Sequence, residues 1–119
     1  MLSATHYRWD SMTPDRPMEL LERRRIVGEK AMISRVWLRK GCLVPGHSHE
    51  NEQFACTLSG RLRFELGTKG SDDWREVIVA AGEVLHLPAN VPHSAEAMED
   101  TLVLDIFSPP SATTGIDRR

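Results

Sequence analysis

No apolar run in this chain exceeds the five residues of Val77–Ala81, far short of the ~20 that a membrane-spanning helix needs. Helical periodicity is nearly absent too. Only Met18–Arg25 can be drawn as a helix, and it reads equally well as an extended strand. An excess of either charge is missing: 15 basic against 17 acidic residues give −2, so no strong field draws the chain to nucleic acid or an anionic membrane. Cysteine is confined to Cys42 and Cys56, which form no C-x-x-C pair. They are too few for a disulfide scaffold, and we read both as free thiols acting as small buried apolar side chains. Met1–Asp10 lacks a charged-then-apolar export pattern, which leads us to expect a cytoplasmic protein. Repeats and low-complexity tracts are lacking as well. Membrane, secreted disulfide-rich and disordered classes are thereby set aside.

What is there suits one globular domain over residues 1–119, with 40% hydrophobic residues and enough length to bury a core. Ala31–Lys40 alternates, with Met32, Ser34, Val36 and Leu38 on one face and Ile33, Arg35, Trp37 and Arg39 on the other. Gly41, Pro45 and Gly46 punctuate the next stretch. Gln53–Leu58 reads as a strand closed by a Ser59-Gly60 turn. Arg61–Leu66 sets Leu62, Phe64 and Leu66 against Arg61, Arg63 and Glu65. Beyond the polar hairpin loop 67–73, strands are expected at Trp74–Ala80, Val84–Leu87, Ser94–Met98 and Thr101–Phe107, before an irregular tail, 108–119. About eight short strands with frequent turns predict an all-β antiparallel sandwich or barrel.

Four of the five histidines carry the chemistry. His47 and His49 stand two apart, so on a strand both imidazoles leave the same face. Gln53 follows at an even step, and His93 comes from beyond a strand ended by Pro88. Together these supply a mixed nitrogen and oxygen donor set for one divalent first-row metal, with positions left open for water or substrate. Nickel, zinc, iron and manganese all fit. Asp105 lies among Leu102, Val103, Leu104 and Ile106 and shares a face with Val103 and Phe107. A carboxylate there is either paired or placed for function, and pointing inward it becomes a general acid/base candidate. His86 has two readings. It faces outward, at the surface or a subunit contact, or it lines the cavity as a further acid/base group.

Each histidine cluster is framed by residues at fixed spacing. The first runs Gly41, five residues, His47-Ser48-His49, three residues, Gln53, six residues, Gly60; the second runs Gly82, five residues, Pro88, four residues, His93. This paired spacing resembles the two motifs of the cupin family. It departs from them at three positions, with Gln53 for Glu, Asn90 for Gly and Ala97 for Asn. Asn is, after Gly, the residue that best tolerates a left-handed turn. A neutral amide in place of a carboxylate leaves the metal its full positive charge and favours an anionic substrate.

Nearly the whole chain is similar to small RmlC-like cupins of the KdgF type. Trp9, the strand Arg24–Glu29, Leu38–Gly41, Leu87–His93 and Leu104–Pro109 carry that resemblance. It implies a jelly-roll barrel, a homodimer with one metal inside each subunit, and ring-opening of 4,5-unsaturated monouronates, a sugar-acid substrate. It also implies catalytic roles for Asp105 and Phe107. The family's substrate-binding Arg is Ser111 here, so Arg35, Arg63 or Arg118 must substitute or the substrate must differ. Other reactions open to such a site are hydroxynitrile lysis and dioxygenation, and the non-enzymatic alternative is a small-ligand-binding module. Trp9, Trp37 and Trp74 read as core or interface aromatics, and the charge run Glu22–Arg25 as a solvated strand.

Overall fold

The alternation in the sequence becomes antiparallel sheet almost throughout. The computed structural model describes residues 3–113 and 116. A 3-10 turn at Trp9–Ser11 leads into β1 (Asp15–Met18), β2 (Leu21–Val27), β3 (Met32–Leu38) and β4 (Leu43–His47). The chain continues through β5 (Glu52–Ser59), β6 (Arg61–Leu66), β7 (Arg75–Ala80), β8 (Val84–Leu87), β9 (His93–Ala97) and β10 (Thr101–Ser108). One sheet has six strands in the order β1-β2-β3-β10-β5-β8, and the other has four in the order β4-β9-β6-β7. Among the described residues no helix is long and apolar enough to cross a membrane.

The two sheets close on each other as a jelly-roll barrel. Val36, Leu38 and Val103 from the larger sheet meet Leu62, Phe64 and Ala95 from the smaller one in a single apolar cluster, whose burial drives the closure. The inward sets of β3 and β6 are those the alternation predicts. Gly60 turns between β5 and β6 at φ +86°, and a Cβ there would strike Thr101 and Asp100. Asn90 adopts φ +68°, taking the left-handed position that its place in the second motif requires.

Three local expectations need correction. Met18–Arg25 is neither one helix nor one strand: the chain reverses at Leu20, with φ +67°, between β1 and β2. β4 runs straight through Pro45 and Gly46, which look like loop punctuation in the sequence. Its place at the sheet edge and the register shift between Val44 and His47 let the proline sit there without breaking an interior ladder. Glu22–Arg25 is not simply solvated. The Arg23 side chain is 2% exposed and grips Asp15 with both arms of its guanidinium, Nε to Oδ1 at 3.2 Å and Nη2 to Oδ2 at 2.7 Å. That pairing holds the Asp15 carboxyl below its usual pKa.

Candidate metal site

Sheet register, more than strand alternation, brings the histidines together. His47, the last residue of β4, lies directly across from His93, the first of β9. His49 stands just past the end of β4, in the connection to β5. That connection crosses between sheets, so Gln53 arrives on β5 of the larger sheet and pairs with Phe107 and Leu87. The turn before β9 is tied to the first cluster by the Asn90 amide donating to the His49 carbonyl at 2.8 Å. The single strand expected to carry both His47 and His49 therefore stops at His47.

One ligand nitrogen from each of His47, His49 and His93 falls within 4.8 Å of the others. The Nδ1 atoms are all engaged with backbone carbonyls: His47 with Pro45 at 2.7 Å, His49 with Asn51 at 3.0 Å and His93 with Val91 at 2.8 Å. A carbonyl only accepts, so each Nδ1 carries the hydrogen and each Nε2 presents a lone pair. Burial keeps the imidazoles of His47 and His93 neutral, with His93 lowered from 6.5 to about 4. Rings whose Nδ1 is tied to a backbone carbonyl and whose Nε2 is left to donate have the orientation a metal requires.

Gln53 completes the set. Its Nε2 donates to Asp105 Oδ1 at 2.9 Å, which turns its Oε1 toward His49 Nε2 at 3.1 Å. With the His49 ring in its neutral Nδ1–H form, two acceptors face each other without a proton between them. Such an arrangement is repulsive unless a cation sits where the lone pairs converge. On this chemistry the donor set fits a divalent metal.

Asp105 is 8% exposed. Burial raises its carboxyl from 3.8 to about 7, only partly countered by the hydrogen bond from Gln53. Phe107 packs edge-on to His49, with ring centroids 5.8 Å apart and planes at 69°. Below these groups the cavity is apolar. Val36, Leu38 and Val103 form one wall, and Val44, Leu62, Phe64 and Ala95 form the other. The free space amounts to about 50 Å³.

A family model for the cupin domain matches residues 35–107. The chain belongs to the cupin family. This cupin is similar to the solved structure of KdgF from a Halomonas species, at 22% identity and a TM-score of 0.79, covering 92% of this chain and 97% of that one. An RmlC-like cupin from Shewanella frigidimarina is 20% identical with a TM-score of 0.81, covering 92% and 95%. Oxalate decarboxylase from Bacillus subtilis, a protein with Mn(II) centres, is 18% identical with a TM-score of 0.82; this cupin covers 31% of its length. At these identities the likeness establishes the fold. A search of curated proteins gives no match.

Not every residue singled out in the sequence reaches the cavity of this cupin. His86 does not. It lies on the outer side of β8, opposite in direction to the buried Leu87, where Nε2 meets Glu52 Oε2 at 2.7 Å and the ring stacks on Phe54 at 4.6 Å. The four-residue strand alternates strictly, so placing Leu87 inside forces His86 outside. Arg35 also faces outward, 6.0 Å from the Trp9 ring. Arg63 is held on the outer face of β6 by Glu65, Glu76 and Glu96. Arg118 lies outside the described residues. Ser111 donates its hydroxyl to the Thr113 carbonyl at 2.9 Å and does not line the cavity. Sequence reasoning missed Ile116, which lines the cavity and packs on the core. Its only signal was an aliphatic residue within a polar tail.

Proposed function

We propose that this single-domain cupin is a metal-dependent enzyme acting on a small carboxylate substrate, with His47, His49, Gln53 and His93 holding one divalent metal. The facing lone pairs of His49 Nε2 and Gln53 Oε1 carry this reading. When bound, such a metal supplies Lewis acidity and offsets negative charge developing on substrate oxygens. The neutral donor set favours a carboxylate that chelates through an oxygen on the neighbouring carbon. Asp105 is the proton carrier: a buried carboxyl near pKa 7 can hold or take a proton at neutral pH. Gln53 orients it, and Phe107 closes the wall beside it.

The KdgF likeness supports ring-opening of a 4,5-unsaturated monouronate as the specific reaction. In that isomerisation the anomeric hydroxyl loses its proton and the bond from C1 to the ring oxygen breaks. The resulting enol is then protonated at C4 to give a ketone, so no oxidant is consumed. Asp105 would move that proton. A second reading, a different reaction on a less polar acid at the same site, is favoured by Ser111 and by the outward direction of Arg35 and Arg63. The deciding experiment follows a 4,5-unsaturated monouronate by ultraviolet absorbance and NMR, with metal-loaded protein beside a chelated control. Metal-dependent loss of the conjugated alkene that Asp105→Asn abolishes supports ring-opening; no change at one metal per chain withdraws it.

We also propose that two copies associate through the outer face of the larger sheet. Trp37, Phe54, Leu58 and Val84 are exposed there, beside half-buried Ile33, Leu104 and Ile106. These residues lie on neighbouring strands of one sheet face, and a two-fold contact buries such a face on both copies at once. On this reading His86 belongs to the subunit contact. A cytoplasmic location remains part of the proposal.

A further inference from the structure

We infer that the cavity selects acids with a chelating head and a hydrocarbon body, and excludes polyhydroxylated acids of similar size. This rests on the metal-site reading above and takes the second of the two reactions proposed there, on a less polar acid, against the polyhydroxylated monouronate. The polar groups occupy one pole. The register places His93 across from Leu66 while Ala95 lies deeper, across from Phe64; on the opposite sheet Asp105 is followed inward by Val103, beside Val36. Descending from the imidazoles, a ligand therefore meets Val36, Leu62, Phe64, Ala95 and Val103, with Ile116 also at the wall. Among the described residues that line this space there is no lysine, arginine, serine or threonine.

The chemistry of the head follows from the donors. Three neutral imidazoles and an amide leave a divalent charge uncompensated, so a 2-hydroxy or 2-oxo carboxylate is held through two oxygens. The body follows from the wall. Each methylene desolvated there gains about fourfold in affinity. A hydroxyl in its place loses its water and finds no partner among the side chains lining the lower cavity, which weakens binding by roughly tenfold or more.

The test uses the full chain loaded with Co²⁺, whose visible bands report directly on ligands at the metal. Lactate, 2-hydroxybutyrate and glycerate are titrated; the last two differ only in a methyl against a hydroxyl at one carbon. We expect 2-hydroxybutyrate to bind about fourfold tighter than lactate and at least about tenfold tighter than glycerate. Val103→Thr, which keeps the shape of the wall but adds a hydroxyl, should reduce the second ratio at least about threefold. Glycerate binding as well as or better than 2-hydroxybutyrate overturns the inference while leaving the metal site intact. An unchanged ratio in Val103→Thr also overturns it, by putting the ligand body elsewhere. Failure of Co²⁺ to bind at one per chain removes both this inference and the metal-site reading beneath it.

Discussion

Two buried groups in the metal-free protein pull stability in opposite directions as the pH falls, and separating them tests the electrostatics of the site. Burial lowers His93 from 6.5 to about 4. Its contribution is complete above pH 6.5 and is lost as the pH falls toward 4, because the unfolded chain takes up the proton first. That interval corresponds to about 3 kcal/mol. Asp105 behaves in reverse. Burial raises it from 3.8 to about 7, so its contribution is complete below pH 3.8 and is lost as the pH rises through 7. The corresponding figure is about 4 kcal/mol.

Between about pH 4.5 and 7 these slopes oppose each other, so the wild-type chain without metal should change stability less than Asp105→Asn does. Asp105→Asn leaves His93 unopposed, with His47 acting in the same direction because burial lowers it too. This variant should lose about 2–3 kcal/mol across that range as acid is added. His93→Gln leaves Asp105 opposed only by His47, and its stability should rise, not fall, as acid is added over the same range. Urea unfolding followed by tryptophan fluorescence, in chelator at fixed pH values, measures all three proteins. Parallel pH profiles would refute the assignment, since they would mean that neither side chain is buried in the state described.

Replacing His47 or His93 by alanine should abolish stoichiometric metal binding, read by elemental analysis, while the far-ultraviolet β signature persists. Asp15→Ala should cost about 1–3 kcal/mol in urea unfolding, because it removes a charge-assisted double contact to the buried Arg23. The loss should shrink as the wild type is acidified through the lowered pKa of Asp15, where its carboxylate stability disappears. Trp37→Glu or Leu58→Glu should halve the mass measured by light scattering; a wild-type chain that is already monomeric refutes the sheet-face contact.

The parts of the fold and site that could be read in advance are those governed by strict alternation or by spacing around a fixed turn. Val103, Asp105 and Phe107 share the inner face of β10 because a strand has a period of two, and an even step cannot change face. Asn90 takes the left-handed angle at the motif's turn because asparagine, after glycine, tolerates that region best. Legibility stops where one strand's position depends on another. His47 and His93 meet through cross-strand register, which no local pattern encodes. β4 was hidden because Pro45 and Gly46 usually end a strand, and only its place on an edge makes them tolerable.

Arginine was the least readable residue type, since its long side chain lets packing decide where the charge goes. Arg23, in a run that looks solvated, turns inward because Asp15 on the neighbouring strand can satisfy it. Arg63, a candidate to bind substrate, turns outward among three glutamates. The direction of those two residues changes the functional argument. With Ser111 in the family's arginine position and neither Arg35 nor Arg63 facing inward, the reading proposed above gives recognition of an acid to the metal donors and discrimination among acids to the apolar wall. On that proposal this cupin chooses its substrate chiefly by what the molecule lacks beyond its chelating head.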